Sequence, residues 1–201
     1  MPFVFTEPDT WTGGSVELEM LLDSREPSSA VEAVAAAWDW DALDGPYATN
    51  TQEPFEQAIV SIRDADLEAL SNLYGTGRLP NSTVAAFSGG TILDEDGVWI
   101  YFGLPVGGLS RCYPVGAFPF SGSARDPWVV EVYGWLMELA RWTAQSVAVR
   151  AGVIGWLTLH DSEELLTGRI PKRRYHGYLR PEADGLAYFA PNIDEPLAKW
   201  D

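Results

Sequence analysis

Cysteine occurs once in this 201-residue sequence, at Cys112, so no internal disulfide can form and a disulfide-stapled scaffold is excluded. Lysine is almost as scarce, at Lys172 and Lys199 only, while Arg, Ala, Gly and Pro are plentiful, a bias that matches a GC-rich bacterial genome. Long hydrophobic runs are missing too. The longest mostly apolar stretch, Val147 to Leu159, contains Arg150 and is too short to cross a bilayer. The opening Met1-Pro2-Phe3-Val4-Phe5-Thr6-Glu7 has neither the basic start nor the apolar stretch of a secretory signal. These features predict a soluble, cytoplasmic chain with no membrane partner.

Positive charge is nearly missing from the first half. Residues 1–100 hold 18 acids against Arg25, Arg63 and Arg78, a net of −15, whereas residues 101–201 hold 11 acids and 10 bases, a net of −1. The whole chain carries −16. Such a field repels nucleic acid and anionic membranes and attracts basic proteins. The five bases Arg169, Lys172, Arg173, Arg174 and Arg180 read as internal counter-charge or a solvated hairpin face, not as a phosphate site.

Catalytic signatures are absent as well. A cysteine nucleophile needs a base, and the only histidines, His160 and His176, lie far from Cys112 in sequence. Gly108-Leu109-Ser110-Arg111-Cys112 lacks the second glycine of a nucleophile elbow. Gly103, Gly107 and Gly108 are followed by no Gly-Lys-Ser/Thr, so no phosphate cradle is indicated. Asp94, Asp96 and Gly97 resemble the start of a calcium loop but lack its downstream Glu, and they read as a hairpin turn. Among 29 acids, no spacing singles out a catalytic carboxylate pair. No cofactor and no metal are expected, and an enzyme is the less favoured class.

What the chain does have is a core's worth of aromatic residues: nine Trp, eight Tyr and eight Phe. Val16, Leu18, Met20 and Leu22 alternate with polar neighbours, the period of a half-buried strand. Ser29 and Glu32 predict a capping box before an Ala-rich helix ending near Trp38. Residues 46–54 read as loop, Gln57 to Ile62 as a short strand, and Asp64 to Leu73 as a helix closed by Gly75. Thr83 to Leu93 and Val98 to Leu104 flank a hairpin turn, and Gly103 to Gly122 reads as a long irregular connection. Asp126 and Pro127 begin a helix running to about Gln145, with Trp128, Val132, Trp135, Leu139 and Trp142 on one face. Gly152 to Leu159 is a buried strand, Asp161 caps a short helix to Leu166, and Arg174 to Leu179 with Leu186 to Phe189 form a second hairpin. The expected fold over residues 1–201 is one α+β domain: a mainly antiparallel sheet with hairpins, covered by the long Trp-rich helix and a few shorter ones.

Two function classes remain. The first is a binding module that masks or neutralises a basic protein partner, in the general manner of immunity proteins and antitoxins, by class analogy alone. Its candidate contact patch is Trp38, Asp39, Trp40 and Asp41 with Asp44 close behind, because two Trp within three residues cannot both enter one core. The alternative is a small-molecule enzyme or ligand-binding protein whose pocket is lined by the Gly/Pro-rich stretch 103–122.

Overall fold

The computed structural model describes residues 8–40, 44–50, 53–59, 61–115, 123–156 and 165–193. Alternation of apolar and polar residues sets β1, Ser15–Leu22, at the heart of the sheet. The other strands are β2 (Asp44–Asn50), β3 (Glu53–Ile59), β4 (Leu73–Arg78), β5 (Val84–Leu93), β6 (Val98–Pro105), β7 (Val149–Trp156), β8 (Gly177–Glu182) and β9 (Gly185–Phe189). They form one sheet in the order β3-β2-β4-β5-β6-β1-β7-β8-β9, and every neighbouring pair is antiparallel. The α+β class holds, and with it the two hairpins at Asp94–Gly97 and Asp184–Gly185. The Asp94 carboxylate accepts from the amides of Asp96 and Gly97, a turn-closing role.

Among the described residues three helices lie wholly within view beside the sheet: α1 (Pro27–Trp38), α2 (Val106–Leu109) and α3 (Pro127–Thr143). α1 begins two residues before Ser29, with Pro27 at its first position, where a missing N–H costs nothing. Glu26 occupies the cap position, and Glu32 turns outward to Arg63, 3.1 Å away. The expected capping box is therefore replaced. α3 does start after Asp126, but the Asp126 carboxylate accepts from the Ser123 amide and not from the helix. Apolar residues of α1 and α3 share one cluster with Val16, Leu18, Met20, Phe87, Ile100, Phe102 and Ile154. The expected Trp stripe of α3 is buried at Trp128 and Trp135, but Trp142 is 42% exposed at the helix end and donates to the Ala36 carbonyl.

Three further expectations are corrected. Asp64 to Leu73 is a 3-10 turn (Ile62–Asp64) followed by turns, with Leu73 opening β4. Asp66 captures the Ala69 amide with its side chain, and the carbonyls of Leu67, Leu70 and Ser71 bond to β5 and β6 residues, so helix bonds are outcompeted. Residues 44–50 form β2, where a loop was expected, and the strand at Gln57 to Ile62 begins earlier, at Glu53. The Gly103 stretch continues β6 to Pro105 and coils into α2; its residues 116–122 lie outside the described residues. So do Asp161 and most of the short helix expected there, although Leu165, Leu166 and Gly168 form its closing turn.

Candidate functional site

β1 shows two characters. Val16, Leu18, Met20 and Leu22 enter the helix-covered core. Side chains one position along point to the opposite face, and there β1 presents Glu17 and Glu19. Cross-strand partners share a face, so register names their neighbours. Glu17 pairs with Gly155 on β7 and Gly103 on β6, and Glu19 pairs with Val153 and Tyr101. Sequence spacing gave no reason to prefer this pair among the 29 acids. Only the period of two, combined with knowledge of which face packs against α1 and α3, brings it out.

Glu17, Glu19 and Tyr101 line a cleft of about 430 Å³, together with Thr91, Ile92, Ser71 and Asn72. The turn at residues 71–72 forms one wall, tied down by the Tyr101 hydroxyl, which donates to the Ser71 carbonyl at 2.8 Å. Glu19 is only 5% exposed although it is a carboxylate, and Glu17 is half-buried and accepts from the Ser15 hydroxyl. The Tyr101 phenol is pushed up to about 12, first by burial, then by the nearby Tyr74 and the Glu17 charge.

The imidazole of His176 adjoins this row. It occupies the space where a side chain at Gly155 would stand: a Cβ there would lie 2.0 Å from Nδ1. Because Gly155 pairs with Glu17, the ring sits in the cross-strand seat beside that carboxylate. Only glycine leaves that seat open.

The sequence-derived patch is not assembled as expected. Trp38 is 6% exposed and packs on Phe87 and Phe102, with its six-membered ring over Gly89. Its assignment to a contact surface is corrected: it is core, because the last turn of α1 aims it at the sheet and Gly89 makes room. Trp40 is half-buried, with its ring 4.9 Å from that of Trp135. Asp39 is exposed and stands 3.5 Å from Arg63. Asp44 opens β2 in register with Thr76, and Asp41 lies outside the described residues.

Cys112 is half-buried, and its thiol lies 3.7 Å from the Gly108 carbonyl. A second cleft, of about 330 Å³, is lined by Arg141, Ala144, Gln145, Asp184, Gly185 and Leu186. Neither cleft includes residues 103–115. In the basic segment, Arg174 donates to the carbonyls of Ala190 and Pro171, while Arg180 pairs with Glu182 and stacks over Phe189. Among the described residues no three His, Cys, Asp or Glu side chains gather as metal ligands, and no helix is long and apolar enough to cross a membrane.

The fold and cleft define an α+β protein with a carboxylate-bearing hollow on the sheet face opposite the Val16, Leu18 and Met20 side chains. No known protein family, curated protein or solved structure matches the chain.

Proposed function

We propose that this protein is an acidic binding module that grips a basic protein partner. The observation that carries the reading is the cleft itself: two carboxylates side by side in a concave site, within the half of the chain that holds 18 acids and three bases. Complementary charge speeds encounter, to about 10⁸–10⁹ M⁻¹s⁻¹ at low salt, and suppresses wrong partners. Asp66 and Glu68, both exposed on the segment that leads into the Ser71–Asn72 wall, extend the acidic surface. α3, with Trp128 and Trp135 buried, is read as the main cover that leaves this opposite face to the partner.

The test is affinity capture from the native source, followed by binding kinetics with the partner so identified. A basic partner is expected, whose association slows clearly between about 50 and about 500 mM salt while dissociation changes less, because exposed charges are screened beyond a Debye length. A neutral or acidic partner, or a rate indifferent to salt, would defeat the reading.

A further inference from the structure

We propose that β9 is the pairing edge of this protein: a second copy of the chain adds its own β9 antiparallel to it, centred on Tyr188, and the two sheets join into one. The inference stands apart from the binding reading above and concerns the other end of the molecule.

The backbone decides which groups of β9 are available. Pro181 of β8 sits opposite Leu186 and has no N–H, so this pair cannot be one that exchanges two hydrogen bonds. Bonded and non-bonded pairs alternate along an antiparallel ladder. Glu182 with Gly185, Arg180 with Ala187 and Tyr178 with Phe189 are therefore the bonded pairs, and the N–H and C=O of Leu186 and Tyr188 point away from β8. Among the described residues β9 is the last strand of the sheet, and no further strand takes these groups up. The carbonyls on either side of Tyr188 hold arginines: Arg141 Nε donates to Leu186 at 3.4 Å, and Arg174 Nε donates to Ala190 at 2.8 Å. Tyr188, midway between them, carries the edge's open donor and acceptor.

The two edges of the sheet differ in composition. Proteins commonly blunt an edge with charge or proline. β3, at the far end, carries Glu53, Pro54 and Glu56, whereas Gly185-Leu186-Ala187-Tyr188-Phe189 has neither charge nor proline.

Symmetry and charge name the occupant. A twofold axis relates two identical edge strands antiparallel, the sense of every pair in this sheet, and the Tyr188 donor and acceptor then complement their own copies. Centred there, the pairing sets Leu186 opposite Ala190 and Ala187 opposite Phe189, apolar against apolar with no like charges facing. The half of the chain with net −15 supplies β1 to β5, while β7, β8 and β9 come from the half with net −1. Copies joined at β9 thus keep their acidic halves at opposite ends. A basic partner would instead meet Arg141, Arg174 and Arg180 here. A cleft of about 330 Å³ between the end of α3 and the start of β9 leaves room beside Leu186 for the end of the added strand. Pairing two five-residue strands covers less than the roughly 800 Å² per partner of a standard interface, so the dimer is weak and reversible.

Sedimentation velocity and NMR amide exchange of the whole chain, from about 5 to about 500 µM, test this. A reversible dimer should grow in over that range, and the Tyr188 amide should exchange several-fold more slowly at the top of it than at the bottom. Added salt should tighten the dimer, because it screens the repulsion between two chains of −16 each. Ala190→Pro, at an exposed residue, removes the N–H that faces the second copy's Leu186 carbonyl. By symmetry two hydrogen bonds are lost, and the dimer should weaken about tenfold or more. Urea melts check that the variant folds, and if it does not, the exchange of Tyr188 decides alone. A chain monomeric throughout, or Tyr188 exchange indifferent to concentration, overturns the proposal. So does a dimer that is undiminished in folded Ala190→Pro, protected at residues 53–59 instead, or loosened by salt.

Discussion

On the face covered by α1 and α3, β1 presents Val16, Leu18, Met20 and Leu22, none more than 3% exposed, and these join a single apolar cluster. On the other face the same strand presents Glu17 and Glu19, in a cleft walled by the 71–72 turn, beside a second, smaller apolar cluster of Ala151, Val153, Leu165 and Tyr178. Apolar burial contributes roughly 25 cal/mol per Å² to folding, while burying a carboxylate costs free energy unless it is paired and hydrogen-bonded. The covered face therefore explains why the chain folds. Glu17 and Glu19 add no such apolar burial and depend on polar partners to stand where they do.

The largest expected effect probes the covered face. Trp135 touches Phe87 and Trp40 and donates its indole N–H to the Arg78 carbonyl. Trp135→Ala should cost about 3–5 kcal/mol in denaturant melts. Trp142→Ala, at a site 42% exposed, should cost clearly less. Equal costs would mean that the covered face does not have the depth assigned to it.

Next in size is a test of the opposite face. Gly155→Ala places a methyl group where the His176 ring sits and should cost about 1–3 kcal/mol, the usual range for overpacking. The double variant Gly155→Ala with His176→Ala should recover much of that loss, a coupling that thermal or urea melts read directly. Additive losses would show that the imidazole does not occupy the glycine seat beside Glu17.

These two residues also show what the sequence could and could not reveal. The period of two in β1, the turn at Asp94–Gly97 and the proline start of α3 are local signals, and each element lies where its pattern put it. Leu67, Leu70 and Leu73 also have a local helical spacing, yet the hydrogen bonds of Thr91 and Tyr101 draw that segment onto the sheet. Trp38 and Trp40 are legible as a pair that must part company, but which ring enters the core depends on Gly89, about a quarter of the chain away. The cleft is less legible still. Glu17 and Glu19 were visible only as the polar half of an alternation, and Tyr101 and His176 join them through registers between strands far apart in sequence. Nothing local encodes that meeting.

A smaller effect concerns pH. An unfolded chain releases a tyrosine proton near pH 10, whereas folded Tyr101 holds its proton to about 12. Between those values the folded state binds more protons than the unfolded state, so stability falls as pH rises across that window. Tyr101→Phe should flatten part of the slope in melts taken from pH 9 to pH 12. At neutral pH it should cost about 1 kcal/mol for the lost bond to the Ser71 carbonyl. Buried Tyr113 and Tyr133 and half-buried Tyr188 are raised as well and act in the same direction, so some slope should remain. An unchanged slope in Tyr101→Phe would place its phenol in water and open the wall of the cleft.

The smallest expected effect sets the two acidic regions side by side. Asp39 belongs to the patch that the sequence favoured, and in the fold it is exposed beside Arg63, which also holds Glu32. Exposed pairs of this sort contribute about 0–1 kcal/mol, because both charges stay in high dielectric and long side chains lose freedom to meet. Asp39→Asn should thus shift stability by no more than about 0.5 kcal/mol. Its effect on partner association should also be slight, since Arg63 already offsets part of the local field and removing one charge frees that arginine to sit wholly against Glu32. Glu17→Gln removes the same single charge from a concave site, where the field is focused and less screened. Measured by association rate at low salt, it should slow binding more than Asp39→Asn does. If the order is reversed, the partner docks at the end of α1, and Trp40, half-buried against Trp135, becomes the side chain to examine next.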